Sequence, residues 1–193
     1  SQVRISEIEF DRVAVDGAVA QMQSTMAATI NIDWIVEVGR DAAKALGHDV
    51  DRKEALKALD ARVLEAYPKS EIYHPYILEA GERGPFTNAN ARAQFIGLTH
   101  RTSFVDLVRT VYDGLVLAAR DCYAAMGSQP EEIRIAGGAA RSKALKLLLA
   151  SAVHDRFRQP ELLRGGAERK RRDSSQICIG NAMGAAAEAC AGT

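Results

Sequence analysis

Two short stretches of this chain hold residue types that could do chemistry, and both are built on glycine. The first is Gly137-Gly138, which follows the strand-like run Ile133-Arg134-Ile135-Ala136 and precedes a helical pattern from about Ser142 to Val153. Paired glycines after a strand let the backbone approach a ligand with no side chain between them. A helix starting there offers free N–H groups and the positive end of its dipole to phosphate. Ser142 adds a hydroxyl at that end. The same residues also fit a tight strand-to-helix turn with Ser142 as a simple cap. The element is neither a Walker A loop nor a Rossmann fingerprint, because the chain contains no Gly-x-x-x-x-Gly-Lys-Ser/Thr and no Gly-x-Gly-x-x-Gly.

The second stretch is Gly81-Glu82-Arg83-Gly84-Pro85, a carboxylate and a guanidinium held between glycines. It suits a polar ligand or a domain interface, with a solvated turn as the plainer alternative. It lies in a segment from Tyr67 to Thr99 that holds three of the five prolines and no long periodic run. Irregular connections of that length are uncommon in compact domains and are more often functional than idle. His48, His74, His100 and His154 lack metal-ligand spacing, so no metal site is expected on this chain. Arg169-Lys170-Arg171-Arg172 reads as a solvated charge run, with a phosphate patch as its alternative.

The elements that must position these groups alternate strands with helices, an α/β pattern. Val13-Ala14-Val15 and Ala18-Val19-Ala20 flank Asp16-Gly17, a dipeptide suited to a tight hairpin. Met26, Ile30, Trp34, Val38, Ala42 and Leu46 recur at mostly four-residue steps, which predicts a helix from about Thr25 to Leu46 with Trp34 in the core. A charged helix is expected over 52–66. Ser103 and Asp106 mark the start of the clearest helix, whose apolar face runs from Phe104 to Met126 before Gly127. The Ala-rich end, 179–191, fits a close-packed helix.

The chain has 193 residues, 47% hydrophobic and 26% charged, with a formal net charge of zero. That length fits one domain spanning 1–193. A neutral balance gives no reason to expect a nucleic-acid partner. No apolar run approaches the roughly 20 residues of a membrane span, and no secretory signal is seen. Three cysteines without Cys-x-x-Cys spacing fit a reduced, cytoplasmic protein. The chain opens at Ser1, as a fragment would, or a protein that has lost its initiator methionine.

Several segments, taken in order, resemble FGGY-type sugar and polyol kinases. Pro75-Tyr76-Ile77-Leu78 and Gly81-Glu82-Arg83-Gly84-Pro85 are similar to that family's Pro-Tyr-Leu and Gly-Glu-Arg-x-Pro. The run from Asn90 to Leu98 resembles Ala-Arg-Gly-x-Phe-x-Gly-Leu, and Asp106 to Gly114 resembles Asp-Leu-x-x-Ala-x-x-Glu-Gly, with Thr110 and Asp113 as mild departures. Ile135 to Ser142 is similar to the family's Gly-Gly-x-x-x-Ser/Asn nucleotide segment, and Gly184-Ala185-Ala186 to its closing helix.

The resemblance implies a ribonuclease-H-like (actin-like ATPase) domain with a mixed sheet flanked by helices. It implies the C-terminal, ATP-side half of a carbohydrate kinase, which passes the γ-phosphate of ATP to a hydroxyl of a pentulose- or tetritol-type sugar or polyol. ATP and Mg²⁺ would be held in the complete enzyme, and a partner N-terminal domain would complete the cleft. A homo-oligomer is also admitted. Gly137, Gly138 and Ser142 would meet the adenine nucleotide. Thr29 and Asp33 fall where the family often has glycine and glutamine near it. The family's Asp-x-Gly-Thr-Thr segment and its proton-accepting aspartate find no match here, so no catalytic residue is assigned and the chain alone is expected to be inactive. The alternative is a non-catalytic actin-like binding module.

Overall fold

The computed structural model describes residues 9–12, 19–22, 25–127 and 137–157. Strands β1 (Glu9–Arg12) and β2 (Val19–Met22) form one antiparallel ribbon, and β3 (Ile72–His74) and β4 (Gln94–Ile96) form another. The helices are α1 (Ile30–Ala45), α2 (Arg52–Glu65), α3 (Phe104–Met126) and α4 (Lys143–Phe157). The first ribbon pairs from Glu9↔Met22 to Arg12↔Val19. The Asp16-Gly17 turn, the 133–136 strand, the basic run and the Ala-rich end lie outside the described residues.

Helix α3 is the hub. Its capping box is complete: Ser103 Oγ accepts the Asp106 N–H at 3.2 Å, and Asp106 Oδ2 accepts the Ser103 N–H at 2.8 Å. Gly127 closes it in the left-handed region, at φ 72°. Between these ends Val108, Val111, Tyr112, Leu115 and Val116 are buried against α1, α2, α4 and β3. Gly114 lets β3 approach: a Cβ there would stand 2.4 Å from the Tyr73 carbonyl oxygen. Close backbone approach thus accounts for a glycine inside this helix, where it is otherwise unfavourable.

Helix α1 begins at Ile30 rather than near Thr25. The chain just before it is held elsewhere, because the Met26 N–H donates to Glu82 Oε1 at 2.8 Å. Asn31, wholly buried, donates Nδ2 to the carbonyls of Ala27 and Ala28 and accepts the Tyr73 hydroxyl at 2.8 Å. Trp34 is not core. It is 38% exposed, stacking on Tyr73 at 6.3 Å between centroids with the Phe95 ring tilted at 6.4 Å. Its stripe is not the buried side of α1: Ile30, Trp34, Val38 and Leu46 are all exposed, and the buried residues are Asn31, Ile32, Ile35 and Val36.

Helix α2 is held at both ends by charge. Asp51 Oδ1 accepts the N–H groups of Lys53 and Glu54. At the other end the buried Arg109 donates Nη1 to the carbonyls of Val63 at 2.9 Å and Ala66 at 2.7 Å. Its Nε sits 3.0 Å from both oxygens of Asp113, so the buried charge is paired and hydrogen-bonded. The segment from Tyr67 to Thr99 contains β3 and β4, paired from Ile72↔Ile96 to His74↔Gln94. Three-residue strands are too short to show a period in sequence.

Candidate functional site

The Gly-Gly element and the loop around Glu82 resolve into two different constructions. Gly137 to Arg141 form a single 3₁₀ turn, and α4 follows directly. Ser142 joins the two: its N–H donates to the Ala139 carbonyl at 3.2 Å, and its Oγ accepts the Leu145 N–H at 2.9 Å. The hydroxyl proton goes to Asp60 Oδ1, on α2. Asp60 Oδ2 accepts the N–H groups of Lys143 at 3.0 Å and Ala144 at 3.2 Å. The Lys146 N–H reaches the Ser142 carbonyl at 3.4 Å.

The first turn of α4 therefore has its N–H groups engaged within the protein, and the negative charge favoured by its dipole is already supplied by Asp60. The expectation that this helix offers free N–H groups to phosphate is corrected by that carboxylate. The backbone of Gly137 and Gly138 lies ahead of the capped helix.

Tyr112 ties α3 into the same cluster, with its hydroxyl 3.4 Å from Asp60 Oδ1. Burial raises its phenol pKa first, then the charges of Asp60 and, more weakly, Asp33. The phenol stays protonated, a donor facing carboxylates. Asp33 thus lies within electrostatic reach of the Ser142–Asp60–Tyr112 group. Its own carboxylate accepts Arg52 Nη2 at 2.6 Å on a half-exposed surface, where Arg52 also bridges to Glu37. Thr29 precedes α1 by one residue, makes no side-chain cap, and accepts the Asp33 N–H on its carbonyl at 3.0 Å. Its hydroxyl does not serve the helix.

The loop from Gly81 to Pro85 is not a solvated turn. Glu82 is 2% exposed, and its Oε1 gathers the N–H groups of Met26, Arg83 and Gly84 at 2.8, 2.8 and 3.1 Å. Glu82 and Asn88 exchange both backbone hydrogen bonds. Gly81 makes this possible at φ 78°, where a Cβ would stand 2.2 Å from the Asn88 oxygen. Arg83 points out, exposed. The carboxylate organises the approach to α1 through its Oε1.

Asp60 lies outside every glycine motif of the chain. Its signal was present in the spacing Leu56, Leu59, Asp60, Val63, which puts an acid on the apolar side of a helix. An aspartate there is a poor helix former with a reason to be kept. Among the described residues no helix is long and apolar enough to cross a membrane.

Comparison with known proteins gives this arrangement its class. Residues 2–161 match the C-terminal domain of the FGGY family of carbohydrate kinases. Over 140 residues the chain is 54% identical to the erythritol kinase of Brucella abortus (strain 2308), covering 72% of this chain and 27% of that protein. It is 37% identical to the xylulose kinase of Escherichia coli (strain K12) over 134 residues, covering 67% of this chain and 25% of the relative. In three dimensions it resembles the xylulose kinase of Rhodospirillum rubrum, with a TM-score of 0.60, 22% identity, and coverage of 74% of this chain and 28% of that one. The fold is therefore that of these kinases, ribonuclease-H-like and actin-like. The chain belongs to the FGGY family of carbohydrate kinases. It spans about a quarter of the length of the curated relatives, 27% and 25% for the two named.

Proposed function

We propose that this chain is the ATP-side half of a kinase that transfers the γ-phosphate of ATP to a hydroxyl of a small polyol or sugar of the tetritol or pentulose type. The observation that carries the reading is the 54% identity to an erythritol kinase over 72% of the chain. In the complete protein this half would join an N-terminal domain in a cytoplasmic enzyme, its described ribbons belonging to a larger mixed sheet flanked by helices.

The chain's own part in the reaction is to bind and orient. Gly137 and Gly138 would lie along the nucleotide, close enough that a side chain at Gly138 would obstruct it. Ser142 holds the turn through its hydrogen bonds to Asp60 and Leu145. Thr29, whose side chain is not used as a cap, and Asp33 would stand on the α1 side of the same site. Phosphoryl transfer depends on positioning and charge neutralisation, and Mg²⁺ at the phosphates would supply the second. Asp33 is the only one of the assigned residues with a carboxylate, and Arg52 already neutralises it. We therefore place the catalytic base and the main phosphate contacts on the N-terminal half, with none here.

The test is a coupled assay on the full-length protein with ATP and either erythritol or xylulose, beside the purified chain alone. Turnover by the whole protein with none by the chain is expected. Robust turnover by the chain alone, or a whole protein that phosphorylates no polyol or sugar, would overturn the reading.

A further inference from the structure

Asp60 lies in the interior of α2, where aspartate is unfavourable and a side-chain carboxylate has no helix end of its own to cap. Both of its oxygens are nonetheless used, and all its partners belong to other elements. Oδ1 takes the Ser142 hydroxyl and faces the Tyr112 hydroxyl; Oδ2 takes the N–H groups of Lys143 and Ala144. Asp60 is thus a capping residue supplied in tertiary contact, joining three helices at the point where the Gly137–Arg141 turn ends.

We propose that Asp60 is a positioning residue for the nucleotide: it fixes the Gly137–Arg141 turn so that the glycine backbone meets ATP in one place. This inference rests on the reading of that turn as the nucleotide-side element. Ser142 closes the turn through its N–H to Ala139, and Ala139 is itself buried in the core. With Asp60 removed, the hydroxyl of Ser142 and two N–H groups lose their acceptor. The turn then keeps its local bonds but loses its tie to α2. A binding surface made of backbone has no side chain that can adjust, so a shift of the turn appears directly as lost affinity. Chemistry on the other half of the cleft is untouched.

The experiment compares Asp60→Ala, Asp60→Asn and Asp51→Ala in the full-length kinase, with ATP and whichever of erythritol or xylulose it turns over. Asp51 is the matched control. It sits at the start of the same helix and also accepts two backbone N–H groups, those of Lys53 and Glu54, but touches nothing near the turn. Asp60→Ala is expected to raise the KM for ATP by about tenfold, leaving kcat and the acceptor KM within about twofold. ADP binding by calorimetry should weaken in parallel. Asp60→Asn keeps a carbonyl oxygen as acceptor and should recover part of the loss. Asp51→Ala should leave the ATP KM unchanged.

An equal rise for Asp51→Ala and Asp60→Ala would overturn the proposal, since that is what lost helix stability alone produces. So would an unchanged ATP KM in Asp60→Ala. Should Asp60→Ala fail to fold by circular dichroism, Asp60→Asn decides alone, and a wild-type ATP KM there overturns the proposal. Gly138→Val separates the two layers of argument. If it abolishes ATP binding while Asp60→Ala changes nothing, only the positioning role fails. If a folded Gly138→Val enzyme binds ATP normally, the assignment of the turn to the nucleotide fails.

Discussion

At Gly81–Pro85 the carboxylate belongs to the loop itself and reaches out to Met26, 56 residues earlier. At Gly137–Arg141 the carboxylate comes from Asp60, 82 residues before the serine it holds. Each segment holds two glycines, separated by Glu82-Arg83 in the first and adjacent in the second. They differ in who supplies the acceptor. Where the loop carries its own acid, it folds inward on itself and the acid is buried. Where the acid is borrowed, it ties Ser142 and the first turn of α4 to α2.

The hardest test of this contrast is Glu82→Ala. Three N–H donors would lose one acceptor in a site that water does not reach. At about 1–3 kcal/mol for each unsatisfied buried donor, less whatever relaxation recovers, the full-length protein should lose about 3 kcal/mol or more. Denaturant unfolding followed by circular dichroism measures it. A loss below about 1 kcal/mol would mean that the loop is solvated after all. Glu82→Gln, which keeps an oxygen, should cost less.

Asp60→Ala should be milder in stability, about 1–2 kcal/mol, the usual cost of a lost helix cap. It is only partly buried, and water can replace some of its bonds. If Asp60→Ala proved the more destabilising of the two, the division between a self-contained loop and an anchored turn would have to be reversed.

Much of this was legible in the sequence, and the boundary of legibility is physical. Local signals were enough for α3: Ser103, Asp106 and Gly127 act within a turn of the helix end they define, so spacing alone located both ends. Glycine and proline content and the lack of a period marked the segment from Tyr67 to Thr99 and both glycine motifs, which the resemblance then matched. What could not be read was tertiary. Glu82 is buried because Met26 comes to it, and Ser142 is held because Asp60 reaches it across from α2. Trp34 shows the converse, an apolar residue with helical spacing that lies off the buried face of α1, which is Asn31, Ile32, Ile35 and Val36. The position of α1's first turn failed for the same reason, since Met26 is claimed by Glu82 rather than by the helix.

A smaller effect sharpens the comparison at a third capped position. Asp106 carries a pKa pushed down to about 2, first by its hydrogen bond to Lys69 and then by those to the Ser103 N–H and hydroxyl. A lowered folded-state pKa means stability present above the unfolded value, about 3.9, and lost as pH falls through the folded one. Acid titration should therefore show a component between about pH 4 and pH 2 that Asp106→Asn removes. Ser103→Ala should reduce the same component and cost about 1 kcal/mol at neutral pH. An unaltered acid limb in Asp106→Asn would show that the charge at this cap contributes nothing.

The smallest expected effect is at Arg83, and its smallness is informative. Arg83 is next to Glu82 and was grouped with it as a charged pair between glycines, yet the two side chains go opposite ways. Glu82 is buried on backbone N–H groups, while Arg83 is exposed and uses only its N–H in the loop, donating to the carboxylate beside it. Replacing its side chain leaves that backbone bond in place. Arg83→Ala should then change stability by no more than about 0.5 kcal/mol, as surface substitutions do. If Arg83→Ala cost as much as Glu82→Ala, the two charges would be acting as a pair and the loop would be a charge cluster. If instead stability held while turnover of the full-length kinase fell, the guanidinium would be reaching a partner outside this chain, and the loop would serve the interior through its acid and the exterior through its base.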